Sequence, residues 1–127
     1  FRWKKDPRVF FAGQVTGVEG YLESAATGLM AGAALAQLLG GREPVPLPFS
    51  TALGALSRHV SESDPEHYAP MNVTFGLIDD TGLPPMRDRG KRREEIARRA
   101  LVEVAAWRDA ALGAPAAREA GDPEAAG

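Results

Sequence analysis

A glycine-rich loop in front of a long helix is the first place in this sequence where binding chemistry can be expected. Gly13, Gly17 and Gly20 lie between a short apolar run and a helical pattern. Glycine lets the backbone approach a ligand closely, and the unpaired N–H groups at a helix N-terminus attract anions. The spacing matches neither G-x-G-x-x-G nor the Walker pattern G-x-x-x-x-G-K-[ST], so a self-sufficient nucleotide site is not predicted. Glu19 and Glu23 would repel a phosphate, which favours a less charged part of a ligand at this loop.

A basic run later in the chain is a second candidate. Residues 87–99 include seven basic and three acidic residues, in a chain whose formal net charge is −2. One interpretation is a solvated helix face on which Glu94 and Glu95 partly offset Arg98 and Arg99 at i,i+4 spacing. The other is contact with nucleic-acid phosphates, which requires positive charge but no particular sequence. The run contains no aromatic residues for base stacking, which counts against the second interpretation but does not exclude it. Both interpretations therefore stay open.

A third group combines His59, Asp64, Glu66 and His67. Their spacing matches no metal-binding pattern such as H-E-x-x-H, so we expect solvated helix ends and no metal site. A Ser-His-Asp triad is favoured even less, because no nearby serine lies on a nucleophile elbow. The chain has no cysteine, which excludes thiol nucleophiles, thiolate metal sites and disulfides among these residues.

Hydrophobic periodicity predicts the elements that position these groups. The apolar run at residues 9–12 is typical of a buried strand in a parallel sheet, and the alternation at residues 71–77 of a strand or extended segment. Ser50 is expected to cap the second of three helices, and Asp64 with Pro65 to open a further helical turn. The predicted helices span residues 21–39, 50–60 and 86–112.

Two helix faces carry further predictions. Small residues recur at every fourth position of the first helix, at Ser24, Gly28, Gly32 and Ala36. Because glycine costs a helix about 0.5–1 kcal/mol, this small-residue stripe predicts close packing against a sheet or another backbone. The last helix has an apolar stripe that is expected to be buried, consisting of Ile96, Ala100, Val104, Trp107 and Ala111.

Composition sets the class of protein. The 127 residues suffice for one domain, and 44% hydrophobic with 25% charged residues is close to the average of soluble globular proteins. The longest apolar stretches fall short of the ~20 residues that a bilayer requires, so we expect no membrane span, and we expect no secretory leader. Residues 113–127 show no periodicity and are expected to be a disordered tail.

Three segments in order resemble one enzyme family. Residues 11–32 read FAGQVTGVEGYLESAATGLMAG, and residues 51–56 and 70–77 read TALGAL and PMNVTFGL. All three are similar to the folate- and FAD-dependent tRNA (uracil-5-)-methyltransferases, the TrmFO family. The first segment resembles the last flavin-binding segment of that family. Related tRNA carboxymethylaminomethyl-uridine enzymes typically read Thr-Thr-Gly-Tyr-Glu-Glu where residues 18–23 read VEGYLE.

The resemblance implies an α/β fold in which this chain is the C-terminal portion of a Rossmann-like, FAD-binding flavoprotein. The chain itself is expected to be mostly helical, with one or two short strands. The expected divisions are a flavin-side loop and helix at 9–39, a connector at 40–50, a helix and extended segment at 51–77, and a basic amphipathic helix at 86–112. Residues 1–112 then form the end of the FAD-binding domain.

The resemblance also implies an activity. A missing N-terminal part of the same polypeptide would carry the dinucleotide fingerprint and the catalytic cysteines, so this chain is expected to be inactive alone. The reaction is C5-methylation of the T-loop uridine of tRNA, with methylenetetrahydrofolate, FAD and NAD(P)H, in the cytoplasm and without a membrane. The expected flavin neighbours are Gly13, Gln14, Gly17, Glu23, Ser24 and Ala25. The expected tRNA contacts are Arg87, Lys91, Arg92 and Arg93.

Two alternatives remain at this point. One is the related FAD-dependent enzyme that modifies the wobble uridine of tRNA. The other is a small helical interaction module without catalytic activity, in which the glycine loop is only a turn.

Overall fold

Three α-helices and one short 3-10 turn make up the regular structure of residues 1–113, the part of the chain that the computed structural model describes. The turn, Gly13–Thr16, precedes helix α1 at Tyr21–Leu39. Helices α2, Ala52–Glu62, and α3, Arg89–Leu112, follow in order. The tail expected at residues 113–127 lies, apart from its first residue, outside the described residues.

Helix α1 has the bounds that its periodicity predicts. It begins after Gly20, which offers no side chain as a cap, and it ends before Gly40. Inside the helix, the buried Gln37 binds the connector, because its side-chain oxygen accepts a hydrogen bond from Val45 N at 3.0 Å. The connector is thereby held along the side of α1.

Helix α2 is capped by Thr51 and not by the predicted Ser50. The Thr51 hydroxyl accepts from Gly54 N at 3.1 Å and donates to Pro48 O at 2.7 Å. The Ser50 hydroxyl instead donates a hydrogen bond to the Glu103 carboxylate of α3, a tertiary contact that no local sequence pattern predicts. Thr51 therefore joins the start of α2 to the connector, and Ser50 joins it to α3.

Helix α3 begins three residues later than predicted. Asp88 caps it, accepting from Gly90 N at 2.8 Å and Lys91 N at 3.2 Å, so the preceding prolines stay outside the helix. Trp107 fixes the other end of α3 by donating from Nε1 to Val45 O at 2.8 Å. Of the predicted apolar stripe, Ile96 and Ala111 are buried, whereas Val104 is exposed.

The predicted strands and the turn of helix at Asp64 do not form. Among residues 1–113 there is no sheet, and only two isolated bridges occur, an antiparallel one between Arg2 and Phe10 and a parallel one between Val18 and Met71. The apolar run at 9–12 pairs only with residues 1–3, through Trp3 N to Val9 O at 2.8 Å and Phe11 N to Phe1 O at 3.0 Å, which is too short a pairing for a strand. The described part of the chain is therefore mostly helical, and the residues after Asp64 form a turn closed by a hydrogen bond from His67 N to Asp64 O at 3.0 Å.

Much of α1 is open to solvent. Tyr21 and Leu22 are 94% and 81% exposed, and the helix buries only Thr27, Ala33 and Gln37. Apart from α1 itself, no atom of residues 1–113 lies within 4 Å of a Cβ placed on Gly28 or Gly32, so the glycine part of the small-residue stripe has nothing described packed on it.

Helix α1 bears on the expectation that the chain has no membrane span, without overturning it. By length and mean hydropathy, 1.2 over its best window, it is able to cross a membrane, because its small residues are mildly apolar and it carries little charge. Core helices of soluble proteins pass the same test, so this finding alone does not assign a membrane location.

Candidate functional site

The glycine turn, here defined as residues 13–20, takes a conformation that only glycine adopts freely. Gly13, Gly17 and Gly20 have φ values of 73°, 82° and 88°, all in the left-handed region. A Cβ on Gly17 would lie 2.6 Å from Cε1 of Tyr68, closer than real Cβ contacts. Both backbone conformation and space therefore require glycine at position 17.

The N-terminus of α1 opens beside this turn. Gly20 provides no side-chain cap, so the N–H groups of Tyr21, Leu22 and Glu23 lack the partners that a helix interior would supply. The next amide, that of Ser24, is used, because it donates to Gly20 O at 3.1 Å. The positive end of the helix dipole therefore faces outward from the turn.

Two polar side chains line the inner side of the turn. Thr27 is fully buried, accepts from Gly13 N at 2.9 Å, and donates to Ser24 O at 3.0 Å. The Ser24 hydroxyl oxygen is buried and has no hydrogen-bond partner within residues 1–113. A buried polar atom without a partner is costly, which marks Ser24 as a position that a ligand can satisfy.

A segment far along the chain holds the glycine turn from outside. Residues 68–72, here called the clamp, pair with it through Met71 N to Gly17 O and Glu19 N to Met71 O, both at 3.1 Å. The Tyr68 hydroxyl donates to Thr16 O at 2.6 Å, and its partial burial raises the pKa of the phenol. The clamp thus fixes the backbone of the turn at three points.

The structure brings most of the predicted flavin neighbours together. Gly13 lies against Ser24 of α1, Gly17 lies against Tyr68 of the clamp, and Glu23 folds its carboxylate toward Gly20. Gln14 is exposed at the outer part of the turn, and Ala25 is exposed on α1.

The sequence analysis missed three residues of this site. Thr27 and Tyr68 support the turn, and the strongly exposed Tyr21 lies at the first position of α1. For Thr27 no local pattern gives a signal, because its role depends on which face of α1 lies inward. For Tyr68 there is none, because its contact to Thr16 crosses 52 residues.

The predicted tRNA contacts differ in whether their charges are already paired within the chain. Arg87 is exposed just before α3, Lys91 and Arg93 are exposed on α3, and Arg93 lies over the Phe75 ring at 5.4 Å from its centroid. Arg92 instead forms an ion pair with Asp80. The charges available to a ligand therefore come from Arg87 and Lys91, which line one pocket, and from Arg93, which lies beside Phe75.

The second half of the basic run is largely committed to contacts within the chain. Arg98 pairs with Glu95 at i,i+3 and lowers the pKa of that carboxyl, while Arg99 donates to the carbonyls of Thr81 and Asp79. The i,i+4 offsets expected for this run are thus replaced by one i,i+3 pair and by contacts to a loop.

The histidine-containing group is dispersed. His67 contacts Asp64 at 2.7 Å and lowers the pKa of its carboxyl, whereas His59 lies against Ser63, Ala69 O and the Tyr68 ring. Within residues 1–113 no group of three metal-binding side chains occurs.

Comparison with known proteins places these features in context. The family described as Glucose inhibited division protein A matches residues 1–43, which contain the glycine turn and α1. Over 109 residues the chain is 50% identical to the methylenetetrahydrofolate–tRNA-(uracil-5-)-methyltransferase TrmFO of Streptococcus gordonii, a match that covers 86% of this chain and 24% of that protein. The chain is a relative of a segment of the TrmFO methyltransferases.

Two further TrmFO proteins match to a similar degree. That of Symbiobacterium thermophilum is 50% identical over 107 residues, covering 84% of this chain and 24% of that protein. That of Pelotomaculum thermopropionicum is 45% identical over 116 residues, covering 88% and 25%. The resemblance to TrmFO predicted from the sequence is confirmed, and the chain spans about a quarter of the length of the relatives it matches.

Proposed function

We propose that the protein containing this chain is a folate- and FAD-dependent tRNA (uracil-5-)-methyltransferase that acts on the T-loop uridine. The observation that carries this proposal is 50% identity to TrmFO over 86% of the chain. Since a shared fold alone does not fix function, the proposal also depends on whether the site suits the cofactor.

The glycine turn fits the ring and ribityl end of FAD better than its pyrophosphate. Open N–H groups at the start of α1 and the partnerless Ser24 hydroxyl offer hydrogen bonds to polar ring atoms. The carboxylate of Glu23 would repel a phosphate in the same place. FAD, when bound, supplies the reducing equivalents that convert the one-carbon unit of methylenetetrahydrofolate to a methyl group, and NAD(P)H renews them.

This chain contributes position and electrostatics to that chemistry. The N–H groups of Tyr21, Leu22 and Glu23 would donate hydrogen bonds to polar atoms of the ring, and the dipole of α1 would favour negative charge on it, against the opposing carboxylate of Glu23. The glycines let the ring approach the backbone, and Gln14 adds an exposed amide at the outer edge. The residues proposed to hold the cofactor are Gly13, Gln14, Gly17, Glu23, Ser24 and Ala25.

The rest of the polypeptide would complete the site. We place this chain at the C-terminal end of a Rossmann-like α/β domain, whose preceding part binds the pyrophosphate and provides the catalytic cysteines. The open face of α1 is then covered by that part rather than by a membrane, in a cytoplasmic enzyme. Residues 1–127 alone are inactive in this account.

The exposed half of the basic run is proposed as the tRNA contact. Arg87, Lys91 and Arg93 present positive charge that suits a phosphate backbone. Arg92 contributes less, because the ion pair with Asp80 already offsets its charge.

Transfer of labelled carbon tests the proposed function. The full-length protein is incubated with ¹⁴C-methylenetetrahydrofolate, NAD(P)H and a tRNA transcript, and the same transcript with cytidine in place of the T-loop uridine is the control. We expect label in the first tRNA and none in the second.

Other outcomes assign other functions. An FAD-loaded protein that labels neither tRNA would keep the flavin site and favour the enzyme that modifies the wobble uridine. A colourless, inactive protein would refute the proposal and leave the interaction module.

A further inference from the structure

An exposed aromatic residue lies beside the basic face of α3. Phe75 is 45% exposed, and the Arg93 guanidinium covers part of its ring. Phe75 and Arg93 are separated by 18 positions in the sequence, so only the fold brings them together. The basic run thereby gains the aromatic residue that it lacks in sequence.

Phe75 also forms one wall of an apolar groove between α2 and α3. The groove has a volume of about 320 Å³, more than a planar base needs. Its walls include Leu53, Ile78, Ala97 and Leu101, all apolar. Such walls offer no hydrogen-bond donors or acceptors. They therefore suit the flat face of an aromatic ring and would not distinguish bases by hydrogen bonds to the ring edge.

The surrounding charge selects the kind of occupant. Arg93 adjoins the groove, and Arg89 lies one helical turn before it on α3; neither forms an ion pair within residues 1–113. Arg87 precedes the helix, and Lys91 lines a separate pocket with Glu94 and Glu95. A purely apolar partner, such as a helix of another protein, would leave these cations unused. A nucleotide uses both parts, because its base stacks while its phosphates meet the cations.

The groove is also close to the glycine turn. Met71 pairs directly with Gly17 and Glu19, and Phe75 follows Met71 by four residues. Even fully extended, four residues span at most ~14 Å. An RNA strand held at the groove is therefore within a few nucleotides of the proposed flavin ring.

We propose that the groove bordered by Phe75 holds an unpaired base of the tRNA, stacked on the Phe75 ring, with its phosphates on the cations of α3. This inference depends on the proposed function for its partner. It adds a binding residue, Phe75, and a sequence-tolerant mode of recognition, since every base has a face that can stack.

Conservative substitutions in the full-length protein test the inference. Phe75→Leu keeps an apolar side chain but removes the aromatic face, and Phe75→Tyr keeps the face. Phe49→Leu is the matched control, because Phe49 is 40% exposed and is also covered by an arginine, Arg58, at 4.8 Å. The dissociation constant for fluorescein-labelled tRNA is measured by anisotropy over a range of salt concentrations, with FAD content measured for every variant.

We expect Phe75→Leu to weaken tRNA binding about ten-fold, within the range contributed by one base stacked on an aromatic side chain. Phe75→Tyr and Phe49→Leu should bind like the wild type. The salt dependence should be unchanged in Phe75→Leu, because the phosphate contacts remain, and should fall by about one counterion in Arg93→Gln. Wild-type affinity in Phe75→Leu, or an equal loss in Phe49→Leu, would overturn the inference.

A crosslink covers the case in which Phe75→Leu fails to fold. Wild-type protein is irradiated with tRNA containing 5-iodouridine, and adducts are mapped by mass spectrometry. An adduct at Phe75 is expected, and adducts that all lie outside the groove would refute stacking there. If the wild type methylates tRNA but fails these tests, only the groove is wrong; if it does not bind tRNA at all, the proposed function fails with it.

Discussion

Replacing Gly17 by alanine tests the geometry of the glycine turn. The left-handed backbone at φ 82° costs alanine about 1–2 kcal/mol. The new Cβ would also lie 2.6 Å from Cε1 of Tyr68, which must move and lose its hydrogen bond to Thr16, for about 1 kcal/mol more. We expect the full-length Gly17→Ala protein to lose about 2–3 kcal/mol of unfolding free energy and to bind FAD about ten-fold more weakly.

Gly82→Ala is the matched control for this substitution. Gly82 has nearly the same backbone, with φ 85°, but no atom of residues 1–113 lies within 4 Å of a Cβ there. The variant should lose about 1–2 kcal/mol from backbone strain and keep its FAD affinity. Denaturant unfolding and titration with FAD measure both quantities. Equal FAD affinity in the two variants would refute the claim that the clamp holds the turn in a flavin-binding conformation.

Three further predictions concern the clamp, α1 and α3. Burial raises the pKa of Tyr68 above its ordinary value of 10.0, so its stabilising effect is complete below pH 10 and is lost as pH rises through the folded pKa. The difference in Tm between wild type and Tyr68→Phe should therefore shrink as pH rises above 10. Gly28→Ala should lower the Tm of the full-length protein, because the preceding part of the polypeptide is proposed to cover this face of α1 and would clash with the added methyl group. A raised Tm, from the helix-propensity gain of about 1 kcal/mol, would show that nothing packs on the small-residue stripe. Asp88→Ala should cost about 1 kcal/mol through loss of the α3 cap, and an unchanged unfolding midpoint would contradict the role of Asp88 as a cap.

The helices could be predicted because their signals are local. The glycines at 40 and 41 end α1 where the periodicity ends, and its bounds agree with the structure. The strands could not, because pairing depends on neighbours remote in sequence, and residues 1–113 supply only the bridges at Phe10 and Met71.

The candidate site divides in the same way. The glycine turn and the start of α1 were found from residues within a short stretch of sequence. The supports of the turn were not, because Tyr68 reaches Thr16 across 52 residues and the role of Thr27 depends on which face of α1 is inward. The basic run was recognised by composition, but only the fold shows that Arg92 is paired with Asp80 and that Phe75 adjoins Arg93.

The methylation state of tRNA from a strain that lacks the corresponding gene tests the central claim most directly. The T-loop fragment of one tRNA is isolated from the deletion strain and from the same strain with the gene restored, and its mass is measured by mass spectrometry. The account predicts that the T-loop uridine lacks its methyl group in the deletion strain and regains it with the wild-type gene. A fully methylated T-loop uridine in the deletion strain, together with a changed wobble uridine, would contradict the account.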